Sequence, residues 1–183
     1  MKIISLSKNN LNDAINLVVR LFDSKPSDFD YPGKWMNASL NPKSKKSMEA
    51  YNKEILPKVK CTYVKYWVGI DKKTKKVIGT TGIYTQSDDE KDSVWVAWFC
   101  VDPIYRGRGY GSQLLDFAIN KAKKMNKKFL KLYTSYNTDI KNAMLLYEKR
   151  GFQIFKKEIH PDSKEEMIYI LNIRTITLIG QQP

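Results

Sequence analysis

Histidine occurs once and cysteine twice in this 183-residue chain, and these shortages exclude a good deal of chemistry. His160 and two distant thiols cannot assemble the His/Cys ligand sets that hold zinc, so no metal site is expected. Two cysteines also make no disulfide framework. Cys61 and Cys100 both fall in apolar runs and read as reduced, buried thiols. Nothing basic adjoins Cys100 to activate it as a nucleophile. Arginine is scarce as well: of 32 basic residues only Arg20, Arg106, Arg108, Arg150 and Arg174 are arginine. Carboxylates number 19, which leaves a net charge of +13. Such a balance suits nucleic acid, but nucleic-acid readers lean on arginine for bidentate contacts. Here the excess is lysine scattered along the chain, so nucleic acid is not the expected partner. No apolar run of about 18 residues is present, so no membrane span is expected. The opening Met1–Leu6 turns polar too quickly for a secretion leader, and the expected location is cytoplasmic.

What is present is a globular composition, 42% hydrophobic and 12% aromatic. Length and the lack of a linker predict one domain over 1–183, with 174–183 a tail or an extra edge strand. Lys2–Leu6 reads as a strand. Leu11, Ala14, Ile15, Val18, Leu21 and Phe22 recur at helical spacing over 10–22. Residues 24–42, punctuated by Pro26, Pro32, Gly33 and Pro42, read as a loop carrying Phe29, Tyr31, Trp35 and Met36. Such a loop either covers the core or holds a ligand. A second helix is predicted over 44–58, followed by strands 61–70, 77–85 and 94–101. Two βα units and two closing strands, 153–158 and 167–173, complete the order β-α-α-β-β-β-α-β-α-β-β. The fold class is α+β, with a mixed, mainly antiparallel central sheet flanked by helices.

The densest signal is the turn Val101-Asp102-Pro103-Ile104-Tyr105-Arg106-Gly107-Arg108-Gly109-Tyr110-Gly111. It sits between the strand ending at Val101 and the amphipathic segment 112–125. Glycines let the backbone bend with its N–H groups turned inward. The next helix adds unpaired N–H donors and a partial positive charge. Strand, glycine-rich turn and helix together make a seat for a phosphate or pyrophosphate. A P-loop would need Lys after its last glycine, where Ser112 stands. A dinucleotide turn would need a longer final gap and an acidic end to the next strand; Lys128–Thr134 has none. Arg-x-x-Gly-x-Gly, met by Arg106, Gly109 and Gly111, resembles the acyl-CoA pyrophosphate loop of the GNAT (GCN5-related) N-acetyltransferase family. About 30 residues on, Leu146-Tyr147-Glu148-Lys149-Arg150-Gly151-Phe152 is similar to the last helix and Gly-Phe exit of that family. The resemblance spans roughly Val77 to Ile173.

That resemblance implies acetyl-CoA as acyl donor and a primary amine as acceptor, with direct transfer between them. It places the pyrophosphate on the backbone of Arg106, Gly107, Arg108, Gly109, Tyr110, Gly111 and Ser112, with the Arg106 and Arg108 cations beside it. It lays the pantetheine arm along Phe99, Cys100 and Val101, where family strands splay apart. It assigns the proton for the departing thiolate to Tyr147, whose phenol is a reasonable match. Two departures stand out. The carboxylate that many relatives carry on the strand before the loop is missing from Val94–Val101, leaving Asp92, Glu90, Asp102 or a water chain as the base. The Asn expected seven residues before the Tyr is Ile140, so Asn137, at the strand-to-helix turn, is the favoured substitute over Asp139 and Asn142. Trp95 and Trp98, three apart on one strand, are expected on opposite faces.

The expected function is therefore an acetyl-CoA-dependent N-acetyltransferase acting on a small-molecule amine. Transfer to a protein N-terminus or lysine, and a non-catalytic CoA-binding module, stand as alternatives. A chain of charge +13 is a poor host for a polycationic acceptor unless Asp88-Asp89-Glu90 lines the pocket. A homodimer is compatible with the sequence.

Overall fold

The computed structural model describes residues 1–26, 31–40, 61–135, 141–159 and 165–173. Strand β1 (Lys2–Ser5) leads through a 3-10 turn into helix α1 (Leu11–Phe22), and helix α2 (Pro32–Ser39) follows. Strands β2 (Cys61–Ile70), β3 (Val77–Gln86) and β4 (Ser93–Val101) form a meander. Helix α3 (Tyr110–Lys124), strand β5 (Phe129–Ser135), helix α4 (Lys141–Glu148) and strands β6 (Gln153–Ile159) and β7 (Glu165–Asn172) complete the order. The seven strands make one sheet, β1-β2-β3-β4-β5-β7-β6. Every pairing is antiparallel except β4 with β5. The α+β architecture and its mixed, mainly antiparallel sheet thus agree with the sequence pattern.

Apolar alternation divides the core between the two faces of the sheet. On one face Ala14, Leu17 and Val18 of α1 and Trp35 and Met36 of α2 pack against Val64, Tyr66, Val68, Tyr84, Trp95, Ala97 and Cys100. On the other, Leu115, Ala118, Ile119 and Ala122 of α3 and Tyr147 of α4 pack against Trp67, Ile83, Val94, Val96, Leu130 and Leu132. Burial of these side chains, worth about 1.5–3 kcal/mol for each of the larger aliphatic ones, is what seats the helices.

The stretch 24–42 is not wholly a loop. Pro32, read as punctuation, is the first residue of α2. A proline is well placed there, because its missing N–H has no intrahelical acceptor and its φ is already helical. Trp35 and Met36 are buried, so this part of the segment covers the core. The helix expected over 44–58 and the tail 174–183 lie outside the described residues.

A second correction concerns β4. Thr80 pairs with Cys100 but Gly82 pairs with Ala97, so two steps on β3 face three on β4. The extra residue is a β-bulge at Trp98, whose φ is +39°. Ala97 and Trp98 consequently fall on the same face, and Trp98 joins Trp95 on the α1 side instead of opposing it.

Candidate functional site

The site begins where β4 and β5 part. Their parallel ladder consists of Ser93–Phe129, Val94–Leu130 and Trp95–Lys131, and it stops there. Beyond it β4 runs on to Val101 and β5 to Ser135 without pairing to each other, which opens a V-shaped slot above Trp95. The backbone groups turned into this slot follow from the ladder on the other side of β4. Asp102 N–H donates to Ile78 O at 2.9 Å, making Gly79–Val101 a non-hydrogen-bonded pair. Cys100 therefore directs its N–H and C=O to Thr80, while Val101 directs its own into the slot. At the bulge the Thr80 hydroxyl donates to Trp98 O at 2.6 Å. In a trans peptide the N–H of Phe99 then points the opposite way, into the slot. So of the three positions predicted to line the cofactor arm, Phe99 and Val101 offer main-chain groups and Cys100 does not. One of them is already engaged, because Arg106 Nε donates to Val101 O at 3.1 Å.

From the top of β4 the chain enters the glycine-rich turn. Asp102 caps the 3-10 turn Pro103–Tyr105, its Oδ1 accepting from Ile104 N–H at 3.1 Å. Its Oδ2 accepts from Arg20 of α1 at 2.7 Å, which anchors the loop to the opposite face. Arg106 N–H is consumed by Pro103 O at 3.1 Å. The row of available donors thus runs from Gly107 to Ser112, one residue shorter than the sequence suggested. Gly107 and Gly109 both have φ of +73°, a region other residues enter only with strain. A Cβ at either would meet no atom within 4 Å and would project into open space. Tyr110, Gly111 and Ser112 open α3, where N–H groups lack intrahelical acceptors. Arg106 braces the strand end, whereas Arg108 lies over the Tyr105 ring at 5.5 Å. The first turn of α3 is close to α4: a Cβ on Gly111 would stand 3.4 Å from Leu146.

Tyr147 is buried on this same face, with its ring 6.1 Å from Phe99 and 6.0 Å from Phe152. A Schellman motif fixes it there. Phe152 N–H reaches Tyr147 O at 3.1 Å and Gly151 N–H reaches Glu148 O at 2.8 Å, with Gly151 at φ +82°. Arg150 locks the end of α4 onto α3 through a two-pronged pair with Asp116, at 2.9 and 3.1 Å. Asn137 lies outside the described residues.

The Cys100 thiol is buried against the Thr80 hydroxyl at 3.3 Å, and burial pushes its pKa up to about 11. A thiol so held is a core group, as the sequence suggested. Of the carboxylates considered as bases, Asp102 is taken by Arg20 and its cap, and the side chains of Glu90 and Asp92 are exposed on the β3–β4 turn. The carboxylate at the vertex of the slot is instead Asp89. It accepts from Trp95 Nε1 at 3.0 and 3.3 Å and from Lys131 Nζ at 2.9 Å. Its partner lies 42 residues away, and no local pattern announces the pair. Surface concavities of about 460 Å3 beside Phe117, Lys121 and Lys124, and of about 390 Å3 beside Asp13, Arg20 and Asp102, lie apart from the slot.

Comparison with known proteins meets the same stretch of chain. A sequence model of the acetyltransferase (GNAT) domain matches residues 63–154, half of the length. The chain belongs to the GNAT acetyltransferase family. Within that family the solved structures it resembles are distant in sequence. A Desulfovibrio desulfuricans protein assigned to the GNAT acetyltransferases superimposes with a TM-score of 0.69 at 14% identity, covering 94% of this chain and 98% of the other. A spermidine N-acetyltransferase variant from Vibrio cholerae gives 0.65 at 16% identity, over 94% and 95%. A chain of the NatC complex bound to Gag peptide and CoA gives 0.65 at 16%, over 94% and 99%. At these identities the likeness concerns the fold. No curated protein matches the sequence. No described helix of this GNAT chain is long and apolar enough to cross a membrane.

Proposed function

We propose that this GNAT protein is an acetyl-CoA-dependent N-acetyltransferase that passes an acetyl group directly to the primary amine of a small molecule. The observation that carries this reading is the adjacency of two features. A row of backbone donors from Gly107 to Ser112 heads α3, and the slot beside Phe99 opens at the strand that feeds it. Donors on an exposed helix start suit a pyrophosphate. Phe99 and Val101 suit the amide groups of a pantetheine arm. The open space at Gly107 and Gly109 is where a side chain would obstruct an anion. A field of +13 charges favours the encounter with so anionic a molecule.

Acetyl-CoA supplies the activated acyl group as a thioester. In the transfer a C–N bond forms, the C–S bond breaks, the amine gives up a proton and the thiolate gains one. Phe99 N–H, turned into the slot by the bulge, is the proposed donor to an acyl oxygen, a contact that favours developing negative charge. The Tyr147 hydroxyl, across from Phe99 on the donor face, is the proposed source of the thiolate proton. β4 carries no carboxylate between Ser93 and Val101, and water is the proposed acceptor of the amine proton. That missing carboxylate is also the one feature favouring a non-catalytic CoA-binding module. A thiol-release assay with acetyl-CoA and mixed small primary amines separates the two: release above the amine-free rate is expected, and none would overturn the enzyme.

A further inference from the structure

We infer that the acceptor is a monoamine carried on an aromatic or apolar body, and that it docks on the Tyr133–Trp95 stack at the vertex of the slot. This rests on the acetyl-transfer reading above and names the substrate class for that site. The donor elements (the glycine loop, α3, α4 and Phe99) all occupy one face of the sheet. Direct transfer needs both substrates at the slot together, so the acceptor comes from the α1 face. On that face Tyr133, two residues beyond the last β4–β5 pair, lays its ring on Trp95 with centroids 4.6 Å apart and planes 14° from parallel. Trp95 in turn stacks on Tyr84 at 6.2 Å, so the platform is backed by packed rings. Tyr133 is nonetheless 45% exposed, an aromatic surface beside the opening. Against the other limb, β4, Phe22 at the end of α1 is 48% exposed and meets Trp98 edge-on at 5.1 Å. Aromatic surfaces on both limbs favour an apolar or planar body between them.

Charge argues against a polyamine. The carboxylate bonded at the vertex, Asp89, is neutralised by Lys131 at 2.9 Å, with both side chains largely shielded at 22% and 16% exposure. The Lys131 ammonium is itself held over the Trp95 ring at 5.2 Å. A second or third ammonium on the acceptor would meet this cation and the +13 field without an uncompensated carboxylate among the described residues at the vertex. Within the turn Asp88-Asp89-Glu90, the pair engages the carboxylate bonded to Trp95.

The test is calorimetric titration of 2-phenylethylamine and of spermidine into the full chain, with and without saturating CoA. The wild type should bind 2-phenylethylamine at least about tenfold more tightly than spermidine, and Tyr133→Ala should weaken that binding by about tenfold. Tyr133→Phe, which keeps the ring, should retain the wild-type affinity, and CoA affinity should be the same in all three proteins. Lys131→Met, which releases the Asp89 charge, should raise spermidine affinity several-fold. Spermidine binding as tightly as 2-phenylethylamine, or equal affinities in wild type and Tyr133→Ala, would overturn the inference. Failure of CoA to bind would strike the acetyl-transfer reading instead, and the amine titrations without CoA would still judge the platform.

Discussion

Tyr147 combines a packed ring with the hydroxyl proposed as proton source, and the two roles make different predictions. Its ring contacts with Phe99 and Phe152 survive replacement by phenylalanine, while its proton does not. Tyr147→Phe should leave acetyl-CoA affinity within about twofold and lower single-turnover transfer by about 100-fold or more, the range of a lost general acid. An unaltered single-turnover rate would confine Tyr147 to packing. Cys100 carries a pH prediction. Its thiol ionises at about 11 in the folded protein against 9.0 for an unburied one. Below pH 9 both states are protonated and the thiol is neutral in the balance. As pH rises through that window the unfolded chain ionises first, so folding loses up to about 2–3 kcal/mol between pH 9 and 11. Burial pushes Tyr84 upward too, in the same direction. Melting curves from pH 8 to 11 should fall more steeply for wild type than for Cys100→Ala; parallel curves would contradict the shift.

At the scale of elements, the bulge in β4 is the feature that turns the Phe99 N–H toward the slot. Trp98 holds φ at +39°, which costs about 1–2 kcal/mol for a non-glycine residue. Thr80 and Phe22 hold it there, through the hydroxyl bond to its carbonyl and the edge-on ring. Deleting Trp98 would leave two steps on each strand between the Thr80–Cys100 and Gly82–Ala97 pairs. The shortened chain should fold with the same circular dichroism but lose transfer by about 100-fold or more, as a displaced oxyanion donor does. Retained transfer would show that the bulge is not what orients Phe99. This is also where the sequence falls short. Apolar runs and turn residues place β2 to β5 and α3 closely, because strand and helix periods are written in local spacing. The Arg-x-x-Gly-x-Gly turn and the Leu-Tyr-Glu exit are legible for the same reason. A bulge is a property of two strands at once, so Trp95 and Trp98 read as opposed when they share a face. Asp89 and Lys131 meet only through the parallel β4–β5 register, and nothing near either residue in sequence announces it. The start of α2 is hidden because Pro32 serves equally as a breaker and as a first helical residue.

For the whole molecule, the sheet carries a packed core on each face, and the proposal assigns the donor to one face and the acceptor to the other. The face of α3 and α4 presents the glycine loop and Tyr147; the face of α1 and α2 presents the aromatic stack. Arg20 crosses between them, tying α1 to Asp102 at the foot of the loop. The account stands on the claim that the loop is a pyrophosphate seat, and acetyl-CoA calorimetry on wild type beside Gly109→Val tests it most directly. Gly109 at φ +73° has open space where a side chain would stand, so valine should strain the loop by about 1–2 kcal/mol and obstruct the seat while the protein stays folded. The predicted result is stoichiometric binding by wild type and none by folded Gly109→Val. Equal binding by both proteins, or no binding by the wild type, would contradict it.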